Sequence, residues 1–152
     1  MKPIIDFIKK FTDAEIVPIK KIHRSYYLVN KEIEALAEKI EENLFAEGLF
    51  LGKEKDKRFK PSVALLEIIS KTSDRKIFVD DKAEWLFLCG RDIFGKSITK
   101  ANVKRGLVLV QNKRDENLGF AKITGDITKK DLVVVTNILD RGDFLRRERK
   151  KR

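Results

Sequence analysis

From Gly90 to Ser97 the chain reads Gly90-Arg91-Asp92-Ile93-Phe94-Gly95-Lys96-Ser97, which fits the spacing G-x-x-x-x-G-K-[ST] at every fixed position. Residues of these types at this spacing can do phosphate chemistry. Glycine amides approach the phosphates, Lys96 would neutralise the terminal ones, and the Ser97 hydroxyl would bind magnesium. That chemistry needs a buried strand before the loop and the N-terminus of a substantial helix after it, whose dipole holds the anion. The residues after Ser97 are Ile98-Thr99-Lys100-Ala101-Asn102-Val103-Lys104-Arg105-Gly106, with a β-branched start, a central asparagine and a glycine stop. Such a segment makes a poor long helix, and only 55 residues remain beyond the motif. Asp80 could hold magnesium but precedes the motif and suits a helix cap better. The expectation is a helix stop at Gly90 and a turn into a strand at Gly95. Ile93 and Phe94 would pack inward, and Lys96 would be left to meet an anion.

Other reactive residue types are scarce. One cysteine, Cys89, excludes an internal disulfide, and one histidine, His23, leaves little for a transition metal. Cys89 lies in the apolar run Trp85-Leu86-Phe87-Leu88-Cys89, where a buried, inert thiol is expected. No Ser/His/Asp or Cys/His set can be assembled, so no catalytic residue, metal or cofactor is expected, and the protein is read as a non-enzyme.

Charge is more informative. The formal net charge is +10, and it is uneven: residues 1–75 hold 15 Lys and Arg against 13 Asp and Glu, residues 76–152 hold 19 against 11. A basic half of this kind points to a polyanion, and without an apolar run near the roughly 18 residues that span a bilayer, nucleic acid is favoured over membrane. The N-terminus carries charge within a few residues and is not read as a signal peptide, so a cytoplasmic protein is expected. The last twelve residues contain seven cations against two anions, from Arg141 through Arg146-Arg147-Glu148-Arg149-Lys150-Lys151-Arg152. If Phe144 to Arg147 is a strand, Phe144 and Arg146 share one face and Leu145 and Arg147 the other. Tyr26-Tyr27 in an alternating strand would place one ring inward and one outward. Trp85 is expected in the core or at a domain interface.

Two sets of elements must position these residues. In the first half, Ile4, Ile5, Ile8 and Phe11 recur at helical spacing. Strands are expected over residues 15–19, with Pro18 confining the first to an edge, and over residues 26–29. Asn30 caps a helix carrying Ile33, Leu36, Ala37, Ile40 and Leu44, and Gly48 stops it. A strand at Leu49 to Gly52, a charged turn over residues 53–58 and a helix capped by Ser62 follow. Thr72-Ser73-Asp74 is the sensible boundary, giving domains 1–73 and 74–152. In the second half, Ile77 to Val79 is a strand, Asp80 caps a helix to about Leu88, and Leu107 to Val110, Leu118 to Ile123 and Leu132 to Val135 are strands between turns. This suggests a small barrel or sandwich.

Laid out in this way, residues 77–147 resemble a PUA domain, the small pseudo-barrel RNA-binding module. The resemblance rests on the capped helix ending at Gly90, on Ile93-Phe94-Gly95-Lys96-Ser97-Ile98, on the strand from Gly106 and on the ending Asp140-Arg141-Gly142-Asp143-Phe144-Leu145-Arg146-Arg147. With Leu51-Gly52-Lys53, Arg58-Phe59-Lys60 and the helix Val63 to Ser70, nearly the whole chain resembles the Nip-seven family of ribosome-biogenesis factors, and its archaeal branch in composition. The resemblance implies an α+β protein, with an N-terminal α/β pre-PUA domain of mainly antiparallel sheet and a C-terminal PUA pseudo-β-barrel. It implies RNA binding in large-subunit assembly and pre-rRNA processing, by a monomer working beside other assembly factors. The implied RNA-binding residues are Arg91, Lys96, Lys104, Arg105, Arg146, Arg147, Arg149 and Lys150. A protein-binding accessory subunit of an RNA-modifying enzyme is the alternative.

Overall fold

The structure, a computed structural model, describes residues 1–39 and 47–150. The chain divides into two compact units, Met1–Thr72 and Ser73–Arg152.

In the first unit, α1 (Lys2–Ile8) is followed by β1 (Ile19–Ile22), β2 (Ser25–Leu28), α2 (Lys31–Glu38), β3 (Leu49–Lys55), β4 (Arg58–Pro61) and α3 (Val63–Ser70). The four strands form an antiparallel meander in chain order. Residues 15–18 do not form the expected strand. Pro18 has no N–H to give to a ladder, and pairing begins at the residue after it, while its carbonyl accepts from the Val29 amide at 3.1 Å. The charged turn is tighter than expected. The strands run to Lys55 and from Arg58, so Asp56 and Lys57 alone make the loop, both with positive φ as a two-residue hairpin requires.

Asn30 and Ser62 cap α2 and α3 through the amides of Ile33 (2.8 Å) and Leu65 (3.1 Å). In α2, Ala37 is buried but Leu36 is exposed, about 100° round the helix from it. Ile40 and Leu44 lie outside the described residues. Tyr26 and Tyr27 are both buried, against the expected alternation: Tyr26 meets Phe59 edge-on, Tyr27 packs on Phe50, and the register shifts between the two tyrosines. Both sides of β2 are therefore covered.

The second unit runs β5 (Lys76–Val79), α4 (Asp81–Leu88), β6 (Ile93–Phe94), a 3-10 turn (Gly95–Ser97), β7 (Ile98–Ala101), β8 (Gly106–Gln111), β9 (Asn117–Ile123), β10 (Val133–Asp140) and α5 (Asp143–Lys150). Its sheet has the order β6-β10-β9-β8-β5-β7, with β5 parallel to β8 and the other pairs antiparallel. Register shifts interrupt most of the ladders, and such bulges add twist, which curls the sheet around its core. Between Asn137 and Leu139 the strands approach so closely that a Cβ on Gly119 would lie 2.0 Å from the Leu139 carbonyl oxygen. The core is aliphatic, from Ile77, Val79, Val108, Val110, Ala121, Val134 and Val135, and α4 closes it with Ala83 and Phe87.

The helix period explains two departures. Ala83 and Phe87, four apart, face inward, so Trp85 and Cys89, two residues further round, face outward. Trp85 is 66% exposed and Cys89 is exposed. The apolar run from Trp85 to Cys89 is too continuous for one stripe of a helix to bury.

Candidate nucleic-acid interface

The residues that follow β10 are where sequence and structure part most clearly. Phe144 to Arg147 lie in helix α5, not in a further strand. The sequence favours this locally. Asp143 stands in the first turn and Arg147, Arg149 and Lys150 in the last, matching the helix dipole, and Leu and Arg are good helix formers. The start of the helix is seated against α4: a Cβ on Gly142 would lie 1.9 Å from the Leu88 carbonyl oxygen.

Helical geometry separates the adjacent arginines. Arg146 turns back onto Asp140, with Nη1 at 2.9 Å from Oδ1 and Nη2 at 2.8 Å from Oδ2, while Nη1 also donates to the Leu88 carbonyl at 2.7 Å. Asp140 is buried and further accepts from the Gly142 amide (2.8 Å) and Asn137 Nδ2 (3.2 Å). The hydrogen bond to Asp140 holds the Arg146 guanidinium even more firmly protonated than usual. Arg146 is thus a fastener between β10, α4 and α5, engaged inward rather than offered to a ligand. Arg147 is exposed and pairs with Asp143 at 2.7 Å along the same helix. Arg149 and Lys150 are exposed beyond it. Arg91 is also exposed, one residue after Gly90, against which the Arg146 guanidinium lies.

Lys96 and Lys104 belong to another region. The Lys96 amide donates to the Lys130 carbonyl at 3.0 Å, and its Nζ lies 5.6 Å from the centre of the Phe94 ring. Lys104 is one of the charges that hold the Asp126 carboxyl below its usual value, after the hydrogen bonds from Thr128. Arg105 is exposed, with its carbonyl clamped by Arg75 Nη2 at 2.7 Å. These residues lie toward the Val133 end of β10 and α5 lies after its Asp140 end, a separation along the strand of about 23 Å at ~3.3 Å per residue. The eight residues expected to bind RNA are therefore not one cluster. Arg91 joins Arg147, Arg149 and Lys150 at the end where Arg146 is tied down. Lys96, Lys104 and Arg105 stand at the other.

Two cations missed in the sequence, Lys129 and Lys130, lie beside Lys96 in the connection between β9 and β10. A lysine doublet in a polar segment between apolar strands was the available signal. Phe94, expected to pack inward, is 41% exposed, while Ile93 beside it is buried. In a two-residue strand the side chains alternate, so only one can face the core.

The phosphate-loop spacing does not fold as one. Gly90, with positive φ, follows α4, and the 3-10 turn Gly95–Ser97 leads through extended Ile98 into β7, so the motif is followed by a strand and not by a helix. Among the described residues, no group of three or more His, Cys, Asp or Glu side chains could hold a metal ion. Among them, too, no helix is long and apolar enough to cross a membrane.

A small mixed sheet curled around an aliphatic core, closed by one capped helix and edged with cations, defines a PUA domain, a class that generally binds RNA. Residues 75–149, within the second unit, match the UPF0113 PUA domain. A UPF0113 protein of Archaeoglobus fulgidus is 31% identical over 109 residues, 67% of this chain and 62% of the relative's length. The match thus spans less than two thirds of that curated relative. A conserved PUA domain protein from Thermoplasma acidophilum shares the fold over 97% of this chain and 92% of its own, at 19% identity and a TM-score of 0.64. A hypothetical protein from Pyrococcus horikoshii OT3 is similar over 80% of this chain and 72% of its own, at 15% identity and a TM-score of 0.50. The α+β fold of this chain is therefore shared with the Thermoplasma acidophilum PUA domain protein.

Proposed function

We infer that the protein binds RNA through its PUA domain and acts in large-subunit ribosome assembly, on precursor rRNA and without catalysis of its own. The observation that carries the RNA reading is α5. Arg147, Arg149 and Lys150 are exposed on a helix whose start is seated on α4 and whose position is held by the Arg146–Asp140 pair. Cations presented on a fixed support can neutralise phosphates without reading sequence. The assembly role is supported by the resemblance of the whole chain to the Nip-seven family. The test is RNA binding by the Arg147→Ala/Arg149→Ala/Lys150→Ala variant, followed by fluorescence anisotropy. Its affinity should fall at least tenfold in low salt with its unfolding transition unchanged. Wild-type affinity in that variant would remove α5 from the interface. Recovery of precursor rRNA after crosslinking in cells tests the assembly role.

A further inference from the structure

At the far end of β10 from α5, exposed apolar and aromatic side chains of two paired strands stand beside a second group of cations. Phe94 and Val133 are cross-strand partners on β6 and β10, and both are exposed. Leu132, also exposed, accepts the Gly95 amide through its carbonyl at 3.1 Å. Lys96 lies over the Phe94 ring, and its amide is bonded to Lys130. Lys129 is equally fixed: its carbonyl oxygen would sit 2.4 Å from a Cβ on Gly95, and its amide donates to the Asp126 carbonyl at 3.0 Å. The Asp126 carboxylate is turned into the same loop by Thr128 (2.9 and 2.6 Å), and Lys104 carries one of the charges near it. One apolar and aromatic platform is therefore flanked by Lys96, Lys129, Lys130 and Lys104, against the two carboxylates Asp126 and Asp131.

We propose that this platform is a second RNA subsite that takes an unpaired nucleobase on Phe94, with the flanking phosphates held by Lys96, Lys129 and Lys130. The proposal rests on the RNA reading above and narrows it to single-stranded RNA. Charge complementarity identifies the occupant as an anion, and the exposed ring asks for a flat apolar face beside that anion. An unstacked nucleotide supplies both, whereas in a duplex the base faces are stacked away. The Lys96 ammonium that now covers the ring sits on a flexible four-carbon stem and can exchange it for a phosphate. Because α5 and the platform lie about 23 Å apart along β10, one strand crossing the edge of the domain would engage both.

The test uses the full-length chain and a fluorescent RNA of about 12 nucleotides, as a single strand and annealed to its complement, with one adenine replaced by 2-aminopurine. Phe94→Leu keeps an apolar side chain but removes the ring. It should lower single-strand affinity about tenfold, leave duplex affinity within about twofold, and abolish the quenching of 2-aminopurine on binding. Lys129→Ala/Lys130→Ala, at two exposed positions, should flatten the salt dependence of single-strand binding by about 1.4 in slope. Wild-type single-strand affinity in Phe94→Leu, or equal losses on both RNAs, overturns the subsite. So does binding of polyglutamate that Phe94→Leu weakens, which would make the patch a site for an acidic protein. If the wild type binds neither RNA, the RNA reading itself fails. If binding is lost in the α5 variant but intact in Phe94→Leu, only the subsite fails.

Discussion

Arg146 and Arg147 are neighbours of one residue type with opposite duties, and the difference is where their charge is satisfied. Removing the Arg146 side chain leaves the buried Asp140 carboxylate without its bidentate partner and the Leu88 carbonyl without its donor. A buried acceptor left without its partner costs about 1–3 kcal/mol, so Arg146→Ala should destabilise the protein by about 2 kcal/mol. Urea unfolding measures this, and Arg147→Ala, whose pair with Asp143 is exposed, should stay within about 0.5 kcal/mol of wild type. A second residue-scale device lies in the first unit, where Glu54 accepts from Tyr26 and from Lys21 (2.7 Å). The Lys21 hydrogen bond, then that of Tyr26, holds the Glu54 carboxyl below its ordinary value of 4.5. A carboxyl whose folded-state pKa is lowered adds stability that is complete above its unfolded value and lost as pH falls through the folded one. The melting temperature should therefore drop more steeply below about pH 4.5 in the wild type than in Glu54→Gln, by scanning calorimetry across that window. Equal slopes would show that the triad contributes nothing to acid stability.

Among the elements, α5 decides what the C-terminal cations can do. As a strand, residues 144–147 would have shown their side chains alternately on two faces. As a helix, they turn Arg146 to the β10–α4 seam and leave Arg147, Arg149 and Lys150 outside. The seat depends on Gly142, which lies against the Leu88 carbonyl with no room for a side chain. Gly142→Ala should lift α5 from α4, speeding amide exchange over residues 143–150 and weakening RNA binding as far as the triple α5 variant does. Mass-spectrometric hydrogen exchange would show whether the loss is confined to that helix. The element boundaries that could be read in advance were those set by local chemistry: Asn30, Ser62 and Asp80 each accept from the amide three residues further on. Those misread depended on context. Pro18 delays β1, and the facing of Trp85 and Cys89 is fixed by which side of α4 meets the core.

For the molecule as a whole, charge asymmetry and fold support one reading. The basic half of the chain is the PUA domain, and its cations stand at both ends of β10 rather than in one spot. Binding single-stranded RNA through five phosphates would give a salt slope near −3.5, and removing Arg147, Arg149 and Lys150 would take away about 2 of it. A slope unchanged by that triple variant would mean that the phosphates are held elsewhere.

The sequence by itself determined the helix caps, the polar hairpin turns, the aliphatic strands of the barrel and the concentration of positive charge in residues 76–152. Each of these follows from neighbours within a few positions or from simple counting. Only the tertiary structure decided that the Gly90–Ser97 spacing belongs to a helix end and a 3-10 turn, because a phosphate loop is defined by the helix that follows it. It also decided that Arg146 serves Asp140, that Phe94 faces solvent, and that Lys129 and Lys130 stand beside Lys96. The last contact joins residues more than 30 positions apart, and its partners are chosen by the path of the backbone around the sheet.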